Sequence, residues 1–535
     1  MNNSIRDSFD VESFADLLPL RDVDGKAIGL FSDHGSWLGV IWGRNCMLEI
    51  RDLRDGSVGF LNFESGLSRS QSLPDLQSAT LNDETELRIC FAKGGALVVE
   101  VRAQASPNFE CTLPHQLHKL ESGIWWLLIS KDAMQLPPRN LFQQNRARWN
   151  QYFKTAFAQM QQPDDQTQRI LLARAITTML WNLRAPQKHM PHFGVIPSPF
   201  SYCGYWAWDS WKHAHALASF APELAAEQLR AQFCRQRDDG MVPDTVMPNP
   251  ADDNWQNTKP PLAAWALHTI WQNTGDDDLV AELYPKCATQ LQWWKNARRV
   301  NGEILYRAGG VDHETATWDT GWDLCARFEN VPLQPFGDWK LFDLWQPDIN
   351  AYILNELRAM AAMASTVGAD ANPWLQEAKQ LTAAIQNTLW DDSKNCFCDV
   401  RASSGESVGI RSAASWLPLW ADAATADQRQ RGLQTMQSPI HFATAMPFPT
   451  LPASEPAFNP DGYWNGGVWI DHAAYAYTLL PADHELRERL LTHLSARNSL
   501  YECYSPLTAA PADGSRPAVA QFSWTAAACI EILLK

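Results

Sequence analysis

The chain lacks most features that would place it with metal-dependent, membrane or nucleic-acid proteins. It has no run of the roughly 18 apolar residues that a membrane-spanning helix needs, so we expect no membrane association. Its 13 histidines and 11 cysteines form no spaced metal motif, and Cys396 and Cys398 lie too close for the usual zinc pattern. Basic residues are outnumbered, 44 against 60 acidic ones, and a net charge of -16 repels nucleic-acid phosphates. We therefore predict no metal, no cofactor and no nucleic-acid partner.

The start of the chain and its cysteines indicate a reducing compartment. Residues 1–7 contain no apolar run after a basic region, so we predict no secretory signal and a cytoplasmic location. The cysteines are odd in number and show no paired spacing, which favours reduced thiols in the core. With 535 residues, the chain exceeds what a single hydrophobic core usually supports, and we expect two domains.

The first part of the chain, residues 1–135, has the pattern of a β-domain. Apolar and polar residues alternate along 87–101 on both sides of a Lys-Gly-Gly turn, which predicts a hairpin. Short apolar stretches at 37–42 and 124–129 are bounded by glycine or polar residues and fit further strands of a β-sandwich. A Pro-Pro pair then ends this region.

The second part, residues 136–535, changes to the spacing of helices. One predicted helix begins with Asn372 as its N-cap and carries an apolar stripe along 375–389, and another carries leucines four residues apart from Leu486 to Leu494. We count roughly ten to twelve such segments, too many for a four-helix bundle. Paired helices in a closed ring, a toroid, fit this pattern best, and a superhelical stack is the alternative.

Five loop-like stretches combine carboxylates, amides and aromatic side chains. They are 205–211, 240–244, 254–261, 318–327 and a C-terminal pair, 501–506 with 522–524. Sugars present apolar ring faces that stack on aromatic rings, and hydroxyl edges that bind carboxylates and amides. We therefore predict a cleft that takes a small saccharide or glycoside. Its candidate contacts are Tyr205, Trp206, Trp208, Asp209, Asp244, Gln256, Asn257, Lys259, Trp318, Asp319, Trp322, Arg327, Phe522 and Trp524.

Two acidic residues in these stretches, Asp323 and Glu502, are candidates for catalysis. Cleavage of a glycosidic bond needs one protonated carboxyl for the leaving oxygen and one ionised carboxylate that activates water. Trp318 and Trp322 flank Asp323, and an apolar environment would raise its pKa, which suits the acid. Glu502 must stay ionised and is the candidate base.

Several of these residues also have an ordinary structural explanation. Asp209 opens a predicted helix and could serve as its N-cap, and Asp244 follows a proline and could form a turn. Lys259 could be a solvated charge before a Pro-Pro helix start. Carboxylates in structural networks also have shifted pKa values, so the pattern alone does not assign their roles.

Five motifs, in this order, resemble those of the trehalase and glycoside hydrolase family 63 superfamily. They are 206–209 (WAWD), 257–261 (NTKPP), 319–328 (DTGWDLCARF), 456–466 (PAFNPDGYWNG) and 501–508 (YECYSPLT). The resemblance covers residues 165–535 and implies an (α/α)6 toroid, residues 136–535, after an N-terminal β-sandwich, residues 1–135.

The same resemblance implies a reaction and its residues. Asp323 is the expected general acid and Glu502 the expected general base of an inverting hydrolase, with water as second substrate. The implied bond is an α-glucosidic or α-mannosidic one. The resemblance also adds Tyr463, Trp464 and Asn465 to the expected sugar contacts.

Some positions depart from the family pattern. Asn465 stands where family 63 usually has arginine, Asp319 replaces a glutamate, and Leu324 and Cys325 replace a polar pair after the acid. These changes affect contacts on the leaving-group side. Glycosyl-glycerates are candidate substrates beside short α-glucosides, but they need a basic clamp that the sequence does not identify.

The alternatives are a sugar phosphorylase or epimerase on the same toroid, or a sugar-binding protein without turnover. The oligomeric state stays open.

Overall fold

The computed structural model describes residues 11–43, 47–132 and 134–534. In these ranges the N-terminal region contains the strands β1 (Leu38–Trp42), β2 (Met47–Asp52), β3 (Val58–Phe63), β4 (Leu67–Ser72), β5 (Gln77–Leu81), β6 (Glu86–Phe91), β7 (Leu97–Arg102), β8 (Phe109–Cys111), β9 (His115–Glu121) and β10 (Ile124–Ile129). They form two antiparallel sheets, with the orders β1-β2-β3-β8 and β4-β5-β6-β7-β10-β9.

The predicted hairpin at 87–101 is confirmed. β6 pairs with β7, Leu87 lies opposite Val101, and Phe91 lies opposite Leu97. These four side chains are buried, as the alternation of apolar and polar residues requires for strands with one face on a core. The apolar stretches at the positions of β1 and β10 are also strands, and both are buried on their two faces.

Helices dominate the rest of the described chain. They are α1 (Leu141–Phe157), α2 (Gln166–Trp181), α3 (Ala207–Leu217), α4 (Pro222–Phe233), α5 (Ala263–Thr274), α6 (Asp277–Ala297), α7 (His313–Thr320), α8 (Pro347–Met363), α9 (Asn372–Thr388), α10 (Leu417–Trp420), α11 (Ala426–Met436), α12 (Ile470–Thr478), α13 (Glu485–Ser495) and α14 (Ser523–Leu534). Short strands lie between them: β11 (Leu183–Arg184), β12 (Gly194–Val195), β13 (Tyr205–Trp206), β14 (Thr245–Val246), β15 (Gly309–Gly310), β16 (Leu333–Phe336), β17 (Trp339–Phe342), β18 (Trp390–Asp391) and β19 (Cys396–Phe397).

Six of these helices contact one another in a closed cycle. α3 packs on α5, α5 on α8, α8 on α10, α10 on α12, α12 on α14, and α14 returns to α3. A second set lies against this cycle, since α4 packs on α3, α6 on α5, α9 on α8 and α2 on α14. All residues of α3 are buried, whereas α9 buries only one stripe. A helix that is buried all round belongs inside a fold and an amphipathic one outside it, so α3 is an inner helix and α9 an outer one.

Two helices test the predicted apolar stripes. α13 buries Leu486, Leu490 and Leu494, as predicted. α9 buries residues of its stripe along 378–385, but Leu375 is 52% exposed. The prediction of Asn372 as N-cap is wrong, because the residue before it occupies that position. The side chain of Asp370 accepts a hydrogen bond from the backbone N–H of Asn372 at 2.9 Å, so the capping group comes from outside the predicted start.

Buried polar bonds join the N-terminal region to the helices. The side chain of Gln521, just before α14, accepts from the backbone N–H of Leu30 at 2.6 Å and donates to its carbonyl at 3.1 Å. The buried guanidinium of Arg184 donates to the hydroxyl of Ser32 at 3.0 Å and to the carbonyl of Ser36 at 2.7 Å. Because buried polar groups cost stability when left unpaired, these bonds hold the start of α14 and the backbone around Arg184 against residues 30–36, just before β1.

The described part of the chain also settles some simple properties. No helix in it combines the length and the apolarity that crossing a bilayer requires. No group of three or more His, Cys, Asp or Glu side chains in the same residues could hold a metal ion. The cysteines there are free thiols and most are buried, which agrees with the predicted core thiols, while Cys46 lies outside the described residues.

Candidate active site

A cavity opens where several inner helices begin. Its wall is built from the first turns of α3 and α14 and from the loops before α5 and α12. The lining residues are Pro197, Tyr202, Trp206, Trp208, Asp209, Lys259, Gly321, Asp323, Tyr463, Trp464, Trp469, Glu502, Phe522 and Trp524. Ten of these are residues that the sequence nominated, from stretches far apart in the chain. The fold therefore brings both candidate catalytic carboxyl groups to one cavity.

Asp323 lies in the loop that follows α7. Burial raises the pKa of its carboxyl group, and Glu314 adds to the rise, while Lys259 and Arg516 oppose it. The carboxyl group therefore holds its proton at a higher pH than an exposed aspartic acid does. A group that is protonated and lines a cavity can act as a proton donor.

Two tyrosine hydroxyl groups hold Glu502. Tyr202 and Tyr463 each donate to Oε1 at 3.0 Å, and the backbone N–H of Val519 donates to Oε2 at 3.4 Å. Burial raises the pKa of Glu502 to about 7, although the tyrosine hydrogen bonds oppose the rise and nearby Asp323 adds to it. Oε1 is saturated by two donors, so Oε2 is the oxygen with room for another hydrogen bond.

Tryptophan rings form the walls of the cavity. Trp464 stacks on Trp469 with ring centres 3.9 Å apart, and Trp208 meets Trp524 edge to face at 4.9 Å. Gly321 has a φ of +80°, and a Cβ atom there would lie 2.2 Å from the ring of Trp208, so glycine is required for both reasons. Rings locked by their neighbours in this way give rigid apolar surfaces for stacking.

Buried lysines accompany the acidic residues of the site. The Lys212 ammonium lies 2.6 Å from Oδ2 of Asp471, and the Lys259 ammonium lies 3.4 Å from Oδ1 of Asp244. Burial raises the pKa of Asp209 to about 7, although Lys212 and Lys259 oppose the rise. The site therefore combines apolar walls with a small number of buried charges, the composition expected of a pocket that orients a polar ligand.

The structure decides between the alternative explanations of three residues. The N-cap of α3 is Trp206, and Asp209 is the third residue of that helix and lines the cavity, so it is not a cap. Lys259 is buried rather than solvated. Asp244 does not line the cavity, and it accepts a hydrogen bond from Asn257 at 3.1 Å while pairing with Lys259. Its place is beside the cavity, where it orients the lysine.

Several other predicted sugar contacts lie outside the cavity wall. Tyr205 is fully buried in the fold. The side-chain amide of Asn257 donates a hydrogen bond to Asp244. Gln256 is exposed, and the backbone carbonyl of Trp318 accepts a hydrogen bond from Lys259. None of these four residues lines the cavity.

Two further predicted sugar contacts, Asp319 and Asn465, use their side chains in hydrogen bonds within the protein. Both oxygens of Asp319 accept from the Arg298 guanidinium, at 2.9 and 3.0 Å, and both residues are fully buried. A carboxylate saturated in this way offers nothing to a sugar hydroxyl. Asn465 donates to the carbonyl of Leu324 at 3.1 Å and accepts from the N–H of Ala326 at 2.7 Å. Asn465 therefore holds the loop that carries Asp323, whereas Asp319 holds the backbone at Thr258 and Gly309.

Arg327 and Trp322 lie behind the cavity wall. The buried guanidinium of Arg327 bridges Asp348 and Asp399, with closest contacts of 2.8 and 2.7 Å. It also lies 4.5 Å from the centre of the Trp322 ring, which in turn packs against Trp464 at 5.1 Å. Arg327 therefore supports an aromatic layer behind the site and does not reach the cavity.

Four lining residues were not nominated from the sequence: Pro197, Tyr202, Gly321 and Trp469. Tyr202 lies just upstream of the first aromatic stretch, and Trp469 lies just downstream of the motif that contains Tyr463. Wider windows around those motifs would have found both. Gly321 and Pro197 carry neither an aromatic ring nor a polar side-chain group.

Comparisons with known proteins place the chain in a family. A profile described as the mannosylglycerate hydrolase MGH1-like glycoside hydrolase domain matches residues 202–525. The mannosylglycerate hydrolase of Rubrobacter radiotolerans is 22% identical over 425 residues, which cover 63% of this chain and 92% of that protein.

Solved structures show the same fold. The crystal structure of GH63 mannosylglycerate hydrolase from Thermus thermophilus in complex with glucose has a TM-score of 0.54 and 20% identity, covering 68% of this chain and 99% of that one. The neutral trehalase Nth1 from Saccharomyces cerevisiae has a TM-score of 0.52 and 15% identity, covering 63% and 72%. The resemblance to the trehalase and family 63 superfamily is confirmed. Because the profile spans more than half of the chain, this protein is a glycoside hydrolase and belongs to the mannosylglycerate hydrolase MGH1-like family.

Proposed function

We propose that the protein hydrolyses an α-glycosidic bond of a glucoside or mannoside with inversion, using Asp323 as general acid and Glu502 as general base. One observation carries the proposal: the two carboxyl groups line the same aromatic cavity, and burial raises the pKa of each. The proposed sugar contacts are the residues that line this cavity, among them Trp206, Trp208, Asp209 and Trp464. The surrounding cycle of helices is the proposed (α/α)6 toroid.

The proposed reaction is a single displacement. A water molecule attacks the anomeric carbon while the bond to the leaving oxygen breaks. Asp323 gives its proton to the leaving oxygen, and Glu502 takes the proton of the attacking water. Oε2 of Glu502 is the accepting atom, because Oε1 already accepts from Tyr202 and Tyr463. Both carboxyl groups have then exchanged their protonation states, and solvent restores them.

The stereochemistry of the product tests inversion. Short α-glucosides, α-mannosides and α-glycosyl glycerates are screened for released hexose, and the best substrate is followed by proton NMR from the first seconds. We expect the β-anomer to appear before the α-anomer, because water attacks the face opposite the leaving group. Appearance of the α-anomer first would contradict the mechanism. Release that requires phosphate would identify a phosphorylase instead.

The pH profile tests the role of Glu502. The base must be ionised, and its pKa is about 7, so kcat/KM should fall about tenfold per pH unit below that value. The hydrogen bond from Tyr202 lowers the pKa of Glu502, so Tyr202→Phe should move this acid limb to higher pH. Tyr284→Phe is the matched control, since that hydroxyl bonds to Trp374 on the outer helices. An acid limb that stays in place in Tyr202→Phe would count against Glu502 as the base.

A further inference from the structure

A second cavity shares two wall segments with the catalytic one, and one of these segments carries Asp323. It is lined by His313, Glu314, Thr317, Leu324, Cys325, Ala326, Phe328, Glu329, Ala457 and Asn465. Two chain segments contribute neighbouring residues to the two cavities: Asp323 lines the first and Leu324 the second, and Trp464 lines the first and Asn465 the second. The same two segments therefore contribute to the walls of both cavities.

Leu324 is held toward this second cavity in an unusual conformation. Its φ is +59°, a region that a leucine seldom occupies, and its side chain is 55% exposed. The side chain of Asn465 bonds to the backbone on both sides of it, at the carbonyl of Leu324 and the N–H of Ala326. The fold thus maintains an exposed apolar side chain directly after the proposed acid.

Most of the surface that lines the second cavity is apolar. Leu324, Cys325, Ala326, Phe328 and Ala457 supply its apolar surface. Its ionisable carboxyl groups, on two exposed glutamates, would repel an anion. None of the described residues that line it is a lysine or an arginine. An uncharged ligand with carbon surface fits this chemistry, and a carboxylate does not.

We propose that the second cavity is the aglycone subsite and that it takes an uncharged leaving group with an apolar carbon chain or ring. This inference rests on the proposed function. The acid must lie within hydrogen-bond distance of the leaving oxygen, so the aglycone begins beside Asp323. Its first carbon atoms then meet Leu324, the next residue of the chain.

An exposed arginine near the site offers the competing explanation. Arg516 is exposed, lies 5.3 Å from the centre of the Tyr463 ring, and does not line the second cavity. A glycerate leaving group would use it as the basic clamp. Arg516 would favour a negatively charged leaving group, whereas Leu324 would favour an uncharged apolar one. One set of substrates therefore distinguishes the two explanations.

The test compares methyl and n-butyl α-glycosides of the sugar that the hexose screen identifies. Their leaving alcohols have similar acidity, so a difference in kcat/KM measures contact with the alkyl chain. We expect the wild-type protein to prefer the n-butyl glycoside by about tenfold or more, from three additional methylene groups. In Leu324→Asn, a residue that tolerates positive φ, this ratio should fall at least about fivefold.

Leu375→Asn is the matched control, because Leu375 is also about half exposed but lies on the outer helix α9. It should keep the wild-type ratio. A Leu324→Asn ratio equal to that of the wild type overturns the subsite. So does a preference for the α-glycosyl glycerate over the n-butyl glycoside that Arg516→Gln abolishes. Failure to hydrolyse any glycoside, in contrast, would reject the proposed function itself.

Discussion

Asp323→Asn should lower kcat/KM on an α-glycoside with an alcohol leaving group by about 100-fold or more, yet retain a much larger share of activity on the matching α-glycosyl fluoride. Fluoride departs with little need for a proton, so loss of the acid matters less for that substrate. Initial rates on both substrates, measured with the same enzyme preparation, give the comparison. Damage to folding or binding cancels, because a misfolded variant fails on both alike.

Glu502→Gln should behave differently from Asp323→Asn. Water must still lose a proton during attack whichever group leaves, so this variant should be poor on the glycoside and on the fluoride. The amide also preserves the shape of the side chain, which limits disturbance of its bonds to Tyr202 and Tyr463. Equal losses on the two substrates for Asp323→Asn, or normal turnover by Glu502→Gln, would reverse or reject the assignment of roles.

Arg327→Met should destabilise the fold by about 3–5 kcal/mol, although Arg327 does not line the cavity. Its guanidinium is fully buried between Asp348 and Asp399, and removing it leaves two buried carboxylates without their partner. Urea denaturation at neutral pH measures the change in the free energy of unfolding. Arg431→Met is the control, because the ion pairs of Arg431 with Asp392 and Asp427 lie at the surface and contribute little.

A triple variant identifies the cause of that loss. Adding Asp348→Asn and Asp399→Asn to Arg327→Met removes the unpaired charges, so part of the lost stability should return. If the triple variant is no more stable than the single one, the loss comes from packing against Trp322 and not from the buried carboxylates. A single variant as stable as the wild type would show that the bridge contributes nothing.

Much of the fold could be predicted because its pattern is local. The alternation along 87–101 predicted a hairpin, and the leucines along 486–494 predicted a helix, since side-chain burial follows the period of each element. The start of α9 was predicted one residue late, because capping depends on which nearby polar side chain reaches the backbone. The neighbour Asp370 does so, and the sequence does not distinguish it from Asn372.

Only part of the site could be predicted from the sequence, because two residues of the same type can have different hydrogen-bond and charge partners in the fold. Asp319 and Asp323 stand four positions apart in one motif, yet one is saturated by Arg298 and the other lines the cavity. Arg298 is 21 residues from Asp319 in the chain, and no spacing rule selects it. Tyr202 and Glu502 are 300 residues apart, so their hydrogen bond could not be inferred from either motif.

The sequence by itself determined the order of a strand region and a helical region, the character of a sugar-binding site and the two acidic residues proposed for catalysis. These properties follow from composition, from short periodicities and from motifs, all of which are contained in neighbouring residues. The tertiary structure decided which carboxylates face the cavity, which are neutralised by buried arginines, and how Leu324 is presented beside Asp323. The physical reason is that a buried charge acquires its role from its partner, and the folding of the helices into a closed cycle brings those partners together.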